Sequence, residues 1–362
     1  MGDQKEISAE WKAIIFDYVS RMNEVMLNRS VEMLVGLTDF EQQKRIERCL
    51  KALGERELRE GIKPVRSEMR ARIERIQLVR GELLTDLAVH QIRTFEQRNL
   101  TWTEEKIERE RVGFIRSGRD WRISRVRVLV DEAMLAATWH QQMQEVPLDE
   151  EENLKTQSIP RPYMNPQAVH GFKSRLWPGV GNSEDYRWDE IGRRSEYRRE
   201  EVVAYAERWW NEPNPSYENF EVNCTNYVSQ CIFAGGAPMN YTGRRDLGWW
   251  YRGQLNKQEH WSYSWAVANS LQKLLSQPRG YGLRAQNVER PEQLRLGDVI
   301  CYDWDGNGRF GHNTIVTAFT PEGMPLVNAN TVSSRHRFWD YRDSYAWTEQ
   351  TRYKFFHITD EF

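Results

Sequence analysis

Aromatic and charged residues divide this chain in two. Residues 1–150 hold 4 of the 15 Trp and 1 of the 15 Tyr, while residues 151–362 hold the other 11 and 14. Charge runs the opposite way: 53 of the first 150 residues are charged (26 basic, 27 acidic), against 51 of the remaining 212. A single hydrophobic core stops growing well before 362 residues, so two compositions in one chain imply two cores. The expected organisation is an N-terminal α+β accessory unit at 1–145, a Pro- and Gly-rich linker or extended segment at 146–194, and a second unit at 195–362.

A net charge of −2 lacks the basic excess that holds nucleic acid, and none is expected as a partner. No apolar run approaches the roughly 20 residues that span a bilayer, so no membrane partner is expected. The start, Met1-Gly2-Asp3-Gln4-Lys5-Glu6, has no apolar core for a signal peptide, and Glu6 stands where an acylation signal needs Ser or Thr. Four Cys (Cys49, Cys224, Cys231, Cys301), without a Cys-x-x-Cys, do not make a disulfide framework. The expectation is a cytoplasmic product with reduced thiols, with export or spore association by another route as the alternative.

Local patterns give the elements. Trp11, Ile15, Tyr18, Val19, Met22 and Met26 recur at helical spacing and predict a helix over about 8–27. Asp39 is placed to cap a second helix at 39–56. From about 64, Met69, Ala71 and Ile73 alternate with Arg70, Arg72 and Glu74 as half-buried strands do, although this Glu- and Arg-rich stretch also suits a helix. Ser117-Gly118-Arg119-Asp120 reads as a hairpin turn. Helices followed by long antiparallel strands outline an α+β module similar to cystatin-like or NTF2-like folds. A helix restarts at Ser195 and ends near Pro213.

The stretch with chemistry in it is Asn223-Cys224-Thr225-Asn226-Tyr227-Val228-Ser229-Gln230-Cys231. Asn223 is a good N-cap, which puts Cys224 in the first turn of a helix, where free N–H groups and the helix dipole favour a thiolate. A thiolate nucleophile needs a base to carry its proton and a third group to orient that base. Downstream, Gly297–Tyr302, Gly311–Phe319 and Pro325–Thr331 read as successive strands. Adjacent antiparallel strands can place His312 beside Asn330, or beside Asn328 on the same strand face.

This order resembles papain-like cysteine amidohydrolases of the NlpC/P60 and CHAP groups, and is closer still to the amidase domain family of spore-forming Gram-positive bacteria. The carrying residues are Ala204–Trp210, Asn223–Cys231, Ala234-Gly235-Gly236, Gly248–Tyr251, Ser264-Trp265, Gly297-Asp298 and His312. The resemblance implies a papain-like fold for about 195–360. It implies Cys224 as nucleophile, His312 as general base and acid, and Asn330 as the orienting residue, where the family often has His. Backbone N–H groups around Cys224, with Asn223, are then the expected oxyanion donors. The implied substrate is a peptide-like or cell-wall-derived amide. Two other readings stay open: a thiol acyltransferase or transamidase on the same residues, and a non-catalytic binding or spore-structural protein that keeps the fold.

Other features have plainer readings. Cys231, Cys301 and Cys49 sit in apolar patterns as small buried hydrophobes. Trp249 and Trp250 either line a substrate groove or fill a core. Asp303-Trp304-Asp305-Gly306-Asn307-Gly308 matches the first half of a calcium loop, but Thr314 stands where the bidentate Glu belongs, so a polar turn is expected and no metal or cofactor. Oligomeric state is not legible.

Overall fold

The computed structural model describes residues 10–118, 120–132, 196–255 and 258–362. The linker expected at 146–194 lies outside the described residues, as do residues 1–9. Helix α1 (Glu10–Asn28) forms where the apolar residues recur, and Trp11, Ile15, Tyr18, Val19, Met22, Val25 and Met26 are all buried. Helix α2 (Phe40–Glu60) starts at Asp39, whose side chain accepts from the Gln42 N–H at 3.1 Å, and stops at Gly61 in the left-handed conformation.

Four long antiparallel strands follow: β1 (Lys63–Val79), β2 (Glu82–Gln97), β3 (Leu100–Ser117) and β4 (Asp120–Val128). The 66–78 stretch is thus strand, and Ser117 pairs with Asp120 across the expected turn. Leu87, Val89, Val112, Phe114 and Val126 pack beneath α1 as the N-terminal core.

The second unit begins with α3 (Arg199–Trp209) and α4 (Cys224–Ala234). A hairpin, β5 (Tyr251–Leu255) and β6 (Gln258–Trp261), leads to the short helices α5 (Tyr263–Ala266) and α6 (Ala268–Leu275). Then come β7 (Ala285–Val288), β8 (Val299–Asp303), β9 (His312–Phe319), β10 (Pro325–Ala329), β11 (Ser333–Phe338) and β12 (Arg352–Ile358).

The two units share one ten-stranded sheet, ordered β1-β2-β3-β11-β10-β9-β8-β12-β7, with β4 also on β3. The length of β3 makes this possible. Its Glu110–Ser117 portion pairs with β4, while Glu105, Lys106 and Ile107 pair with Arg335, Ser334 and Ser333 of β11. The fold is therefore mixed α and β, with few helices on a large antiparallel sheet.

That junction is ionic as well as hydrogen-bonded. Buried Asp343 meets Arg93 Nη2 of β2 at 2.6 Å, Lys106 Nζ of β3 at 3.4 Å and Arg337 Nε of β11 at 2.8 Å. Burial pushes the Asp343 carboxyl up, but Arg337, Lys106 and Arg93 outweigh it and hold the carboxyl well below the usual range.

In the second unit both sheet faces are covered. Val299, Cys301, Ile315 and Phe356 pack under Val228, Cys231 and Ile232 of α4. Ile300, Tyr302, Val316, Val327 and Ala329 point the other way and pack with Trp304 and Tyr341. Successive residues of β8 and β9 therefore serve different cores, and this alternation decides which side chains reach α4.

Candidate active site

Helix α4 opens on Cys224, as the sequence predicts, and the residue is only 1% exposed. At its other end, Gly235 lies where a Cβ would collide with the Val202 and Tyr197 side chains, so only glycine lets α4 end this close to α3. Asn223 occupies the N-cap position, but its side chain does not cap the helix. Its Oδ1 accepts instead from Asn226 Nδ2 at 2.8 Å.

The cap comes from far along the chain. Thr331, in the turn between β10 and β11, accepts from the Asn223 N–H and from the Cys224 N–H, each at 3.0 Å. Asn330 Oδ1 accepts from Asn223 Nδ2 at 3.2 Å and from the Thr331 N–H at 3.1 Å, while Asn330 Nδ2 donates to the Trp210 carbonyl at 3.3 Å. The structure thus brings Cys224, Asn223 and Asn330 to one place. Asn328 belongs to a different cluster: it accepts from Thr317 at 2.8 Å and donates to Glu207 Oε1 at 2.9 Å. Burial raises the Glu207 carboxyl, but His336, Asn328 and Arg335 outweigh it and bring the group down to about 2.

The thiol is surrounded by hydroxyls and amides. Thr225 Oγ1 lies 3.7 Å from Cys224 Sγ, and the Asn313 backbone and the Thr225 and Thr331 hydroxyls pull the thiol pKa down. Burial nonetheless pushes the thiol pKa up, and these donors only partly offset it. The sequence expectation of a thiolate favoured by the helix start is thus outweighed here by enclosure.

His312 lies elsewhere. It pairs with Tyr302 in the β8–β9 ladder, so its side chain shares the Tyr302 face. The imidazole packs 5.4 Å from the Tyr302 ring, 5.9 Å from Trp304 and 5.3 Å from Tyr341, centroid to centroid. The neighbouring Asn313 is the residue that points towards α4, donating through Nδ2 to Thr225 Oγ1 at 3.1 Å. The structure does not bring the His312 ring to Cys224 or to Asn330. Burial drives the imidazole pKa down to about 4 against a smaller upward pull from Glu132, and Arg337 adds to the lowering. The ring is neutral near pH 7, and its Nε2 has no partner among the described residues.

The two candidate groove residues are core. Trp249 and Trp250 are each 1% exposed. Trp249 donates to Ser229 Oγ at 3.0 Å and packs 4.9 Å from Trp265; Trp250 donates to the Leu247 carbonyl at 3.1 Å and meets Tyr241 edge-on. Enclosure leaves neither ring a free face for a ligand. Cys49, Cys231 and Cys301 are buried free thiols. The Asp303 carboxylate accepts from the Asn307 and Gly308 N–H groups at 3.2 and 2.7 Å, closing a polar turn. Among the described residues, no group of three or more His, Cys, Asp or Glu could hold a metal, and no helix is long and apolar enough to cross a membrane.

Sequence reasoning missed Thr331, Thr225 and Asn313. Each stands next to a residue it named, Asn330, Cys224 and His312 respectively, but β9 is buried on both faces and its alternation does not say which face meets α4.

The chain is 54% identical over 160 residues to a Bacillus subtilis (strain 168) relative named "Uncharacterized protein YhbB"; the match covers 44% of this chain and spans half the length of that relative. Among solved structures, the intermembrane space region of the chloroplast protein ARC6 aligns with 33% of this chain and 92% of that one, at 12% identity and a TM-score of 0.24, which carries no argument about fold or function. Residues 196–356, which include Cys224, His312 and Asn330, match the model of the family described as "Putative amidase domain".

Proposed function

We propose that residues 196–356 hydrolyse an amide bond through Cys224. The observation that carries this reading is the start of α4: a cysteine on the first helical residue, with a hydroxyl accepting from the two backbone donors beside it. The match to an amidase family supports the reaction type. His312 is the proposed proton carrier. It would take the thiol proton, the sulfur would attack the amide carbonyl, and the proton would pass to the departing amine, leaving a thioester for water to hydrolyse. Asn330 would hold the helix start through Asn223, and backbone N–H groups there would receive the oxyanion. The substrate class is a peptide or cell-wall stem-peptide amide.

This assignment demands a movement. In the described conformation the His312 ring is on the far side of β9, so reaching Cys224 requires the first residue of that strand, which follows Gly311, to turn over. The unpartnered Nε2 favours such a change, because a buried polar atom without a partner is costly. The same placement supports a second reading, a non-catalytic binding protein that retains the fold.

A test is to incubate the full chain with a pool of N-acetylated peptides and with solubilised cell-wall peptides, then follow new amines and any acyl adduct on Cys224 by mass spectrometry. The enzyme reading expects products and an adduct that Cys224→Ala abolishes. Products that survive this change would refute it.

A further inference from the structure

The feature of the site that its sequence least announces is Thr331. Its hydroxyl oxygen accepts from the Asn223 N–H and the Cys224 N–H, both at 3.0 Å, which uses both lone pairs. Its one proton is not used in these two bonds, and the hydroxyl is one of the groups that pull the Cys224 thiol pKa down. An oxygen held by two backbone donors next to a nucleophile occupies the position that the oxygen of an attacked carbonyl takes. With that position filled by the protein's own hydroxyl, Cys224 is 1% exposed.

Two further observations bear on what belongs there. Thr331 has φ of 105°, a conformation that a β-branched residue rarely adopts, so the turn is held by its partners rather than by its own preference. Those partners are Asn330 Oδ1 on the Thr331 N–H and the two donors on its hydroxyl. On the other side of the sulfur, Asn313 is fully buried, donates to Thr225 through Nδ2, and has an Oδ1 with no partner among the described residues. An amide ligand offers a carbonyl oxygen that can replace the Thr331 hydroxyl on the backbone donors, and an N–H for the free Asn313 Oδ1.

We propose that Thr331 is a built-in plug of the carbonyl-oxygen site: its hydroxyl holds the Asn223 and Cys224 N–H groups in the resting protein, and the carbonyl oxygen of the substrate displaces it. The plug rests on Cys224 being the nucleophile. It makes opening of the β10–β11 turn a required step before attack.

The test uses the full chain as wild type and as Thr331→Val, Thr331→Gly and Thr331→Ser, with two probes. N-acetylglycinal adds the Cys224 sulfur across its C=O bond, the thiol proton ending on the new hemithioacetal oxygen, which sits in the carbonyl-oxygen site. Iodoacetamide forms an S–C bond with loss of iodide and the proton, and reports thiol reactivity alone. Valine and glycine both remove the hydroxyl, and glycine also accepts the backbone conformation, so one folded variant suffices.

Both variants should bind the aldehyde about tenfold or more tightly than wild type, since the donors no longer have to be vacated. Their iodoacetamide pH profile should move to higher pH, because a hydroxyl that pulls the thiol pKa down is lost. Serine should restore wild-type behaviour on both. A role as helix cap alone would lower thermal stability without tightening the aldehyde. Unchanged or weaker aldehyde binding in both variants, with Cys224 still alkylated, would overturn the plug and leave the nucleophile standing. A Cys224 that reacts with neither probe in any of the four proteins would remove the nucleophile, and the plug with it.

Discussion

Tyr302 and His312 face each other across β8 and β9, and their rings lie 5.4 Å apart on the side of the sheet away from Cys224. This pairing gives His312 a thermodynamic signature. Its folded pKa, about 4, is below the ordinary 6.5, so between those values the unfolded chain binds more protons than the native one. Its contribution is fully present above pH 6.5 and is lost as pH falls towards 4, by about 3 kcal/mol at most. Urea unfolding at a series of pH values should show this loss, and His312→Gln should flatten the slope over that window.

Asp343 is the common partner of three buried cations, Arg93, Lys106 and Arg337. Asp343→Ala takes one buried carboxylate from all three, leaving them Glu104, Glu108 and Glu132, and should destabilise the protein by about 3 kcal/mol. A denaturation midpoint shifted by less than a third of that would mean the cations find water or other partners.

The β3–β11 pairing makes a prediction about autonomy. A fragment of residues 196–362 would expose the edge of β11 and leave Arg337 and Asp343 without their N-terminal partners. Such a fragment should aggregate, or melt about 10 °C or more below the full chain. Calorimetry on the two proteins decides it, and equal melting temperatures would show that the N-terminal unit is dispensable for the fold.

Trp249, as core, should behave as a cavity mutant. Trp249→Ala is expected to cost about 3–5 kcal/mol in chemical denaturation. A loss below 1 kcal/mol, with weakened ligand binding, would instead return it to the surface of a groove.

Much of this architecture was legible because its signals are local. The apolar spacing of α1, the Asp39 cap of α2, the hairpin at Ser117–Asp120 and the helix opening on Cys224 each depend on residues a few positions apart. What could not be read depends on register. His312, Thr314 and Val316 share one face of β9, while Asn313, Ile315 and Thr317 share the other, and all six are buried. A strand buried on both faces has no polar side to betray its orientation, so the sequence could not say which set meets α4. The Thr331 cap is harder still, since it joins residues 107 positions apart. The shared sheet likewise needs Ile107 to find Ser333 across more than half the chain. A Trp-rich pattern serves a groove and a core alike, and for Trp249 and Trp250 only their burial separates the two.

The most direct measurement is the pH dependence of Cys224 alkylation by iodoacetamide in the full chain, compared between wild type and His312→Ala. If Cys224 is the nucleophile and His312 its proton carrier, wild-type Cys224 should label faster near neutral pH than the other three cysteines, and His312→Ala should remove that advantage by about tenfold or more. A Cys224 that labels no faster than an ordinary thiol, with a rate that His312→Ala leaves unchanged, would contradict the enzymatic reading.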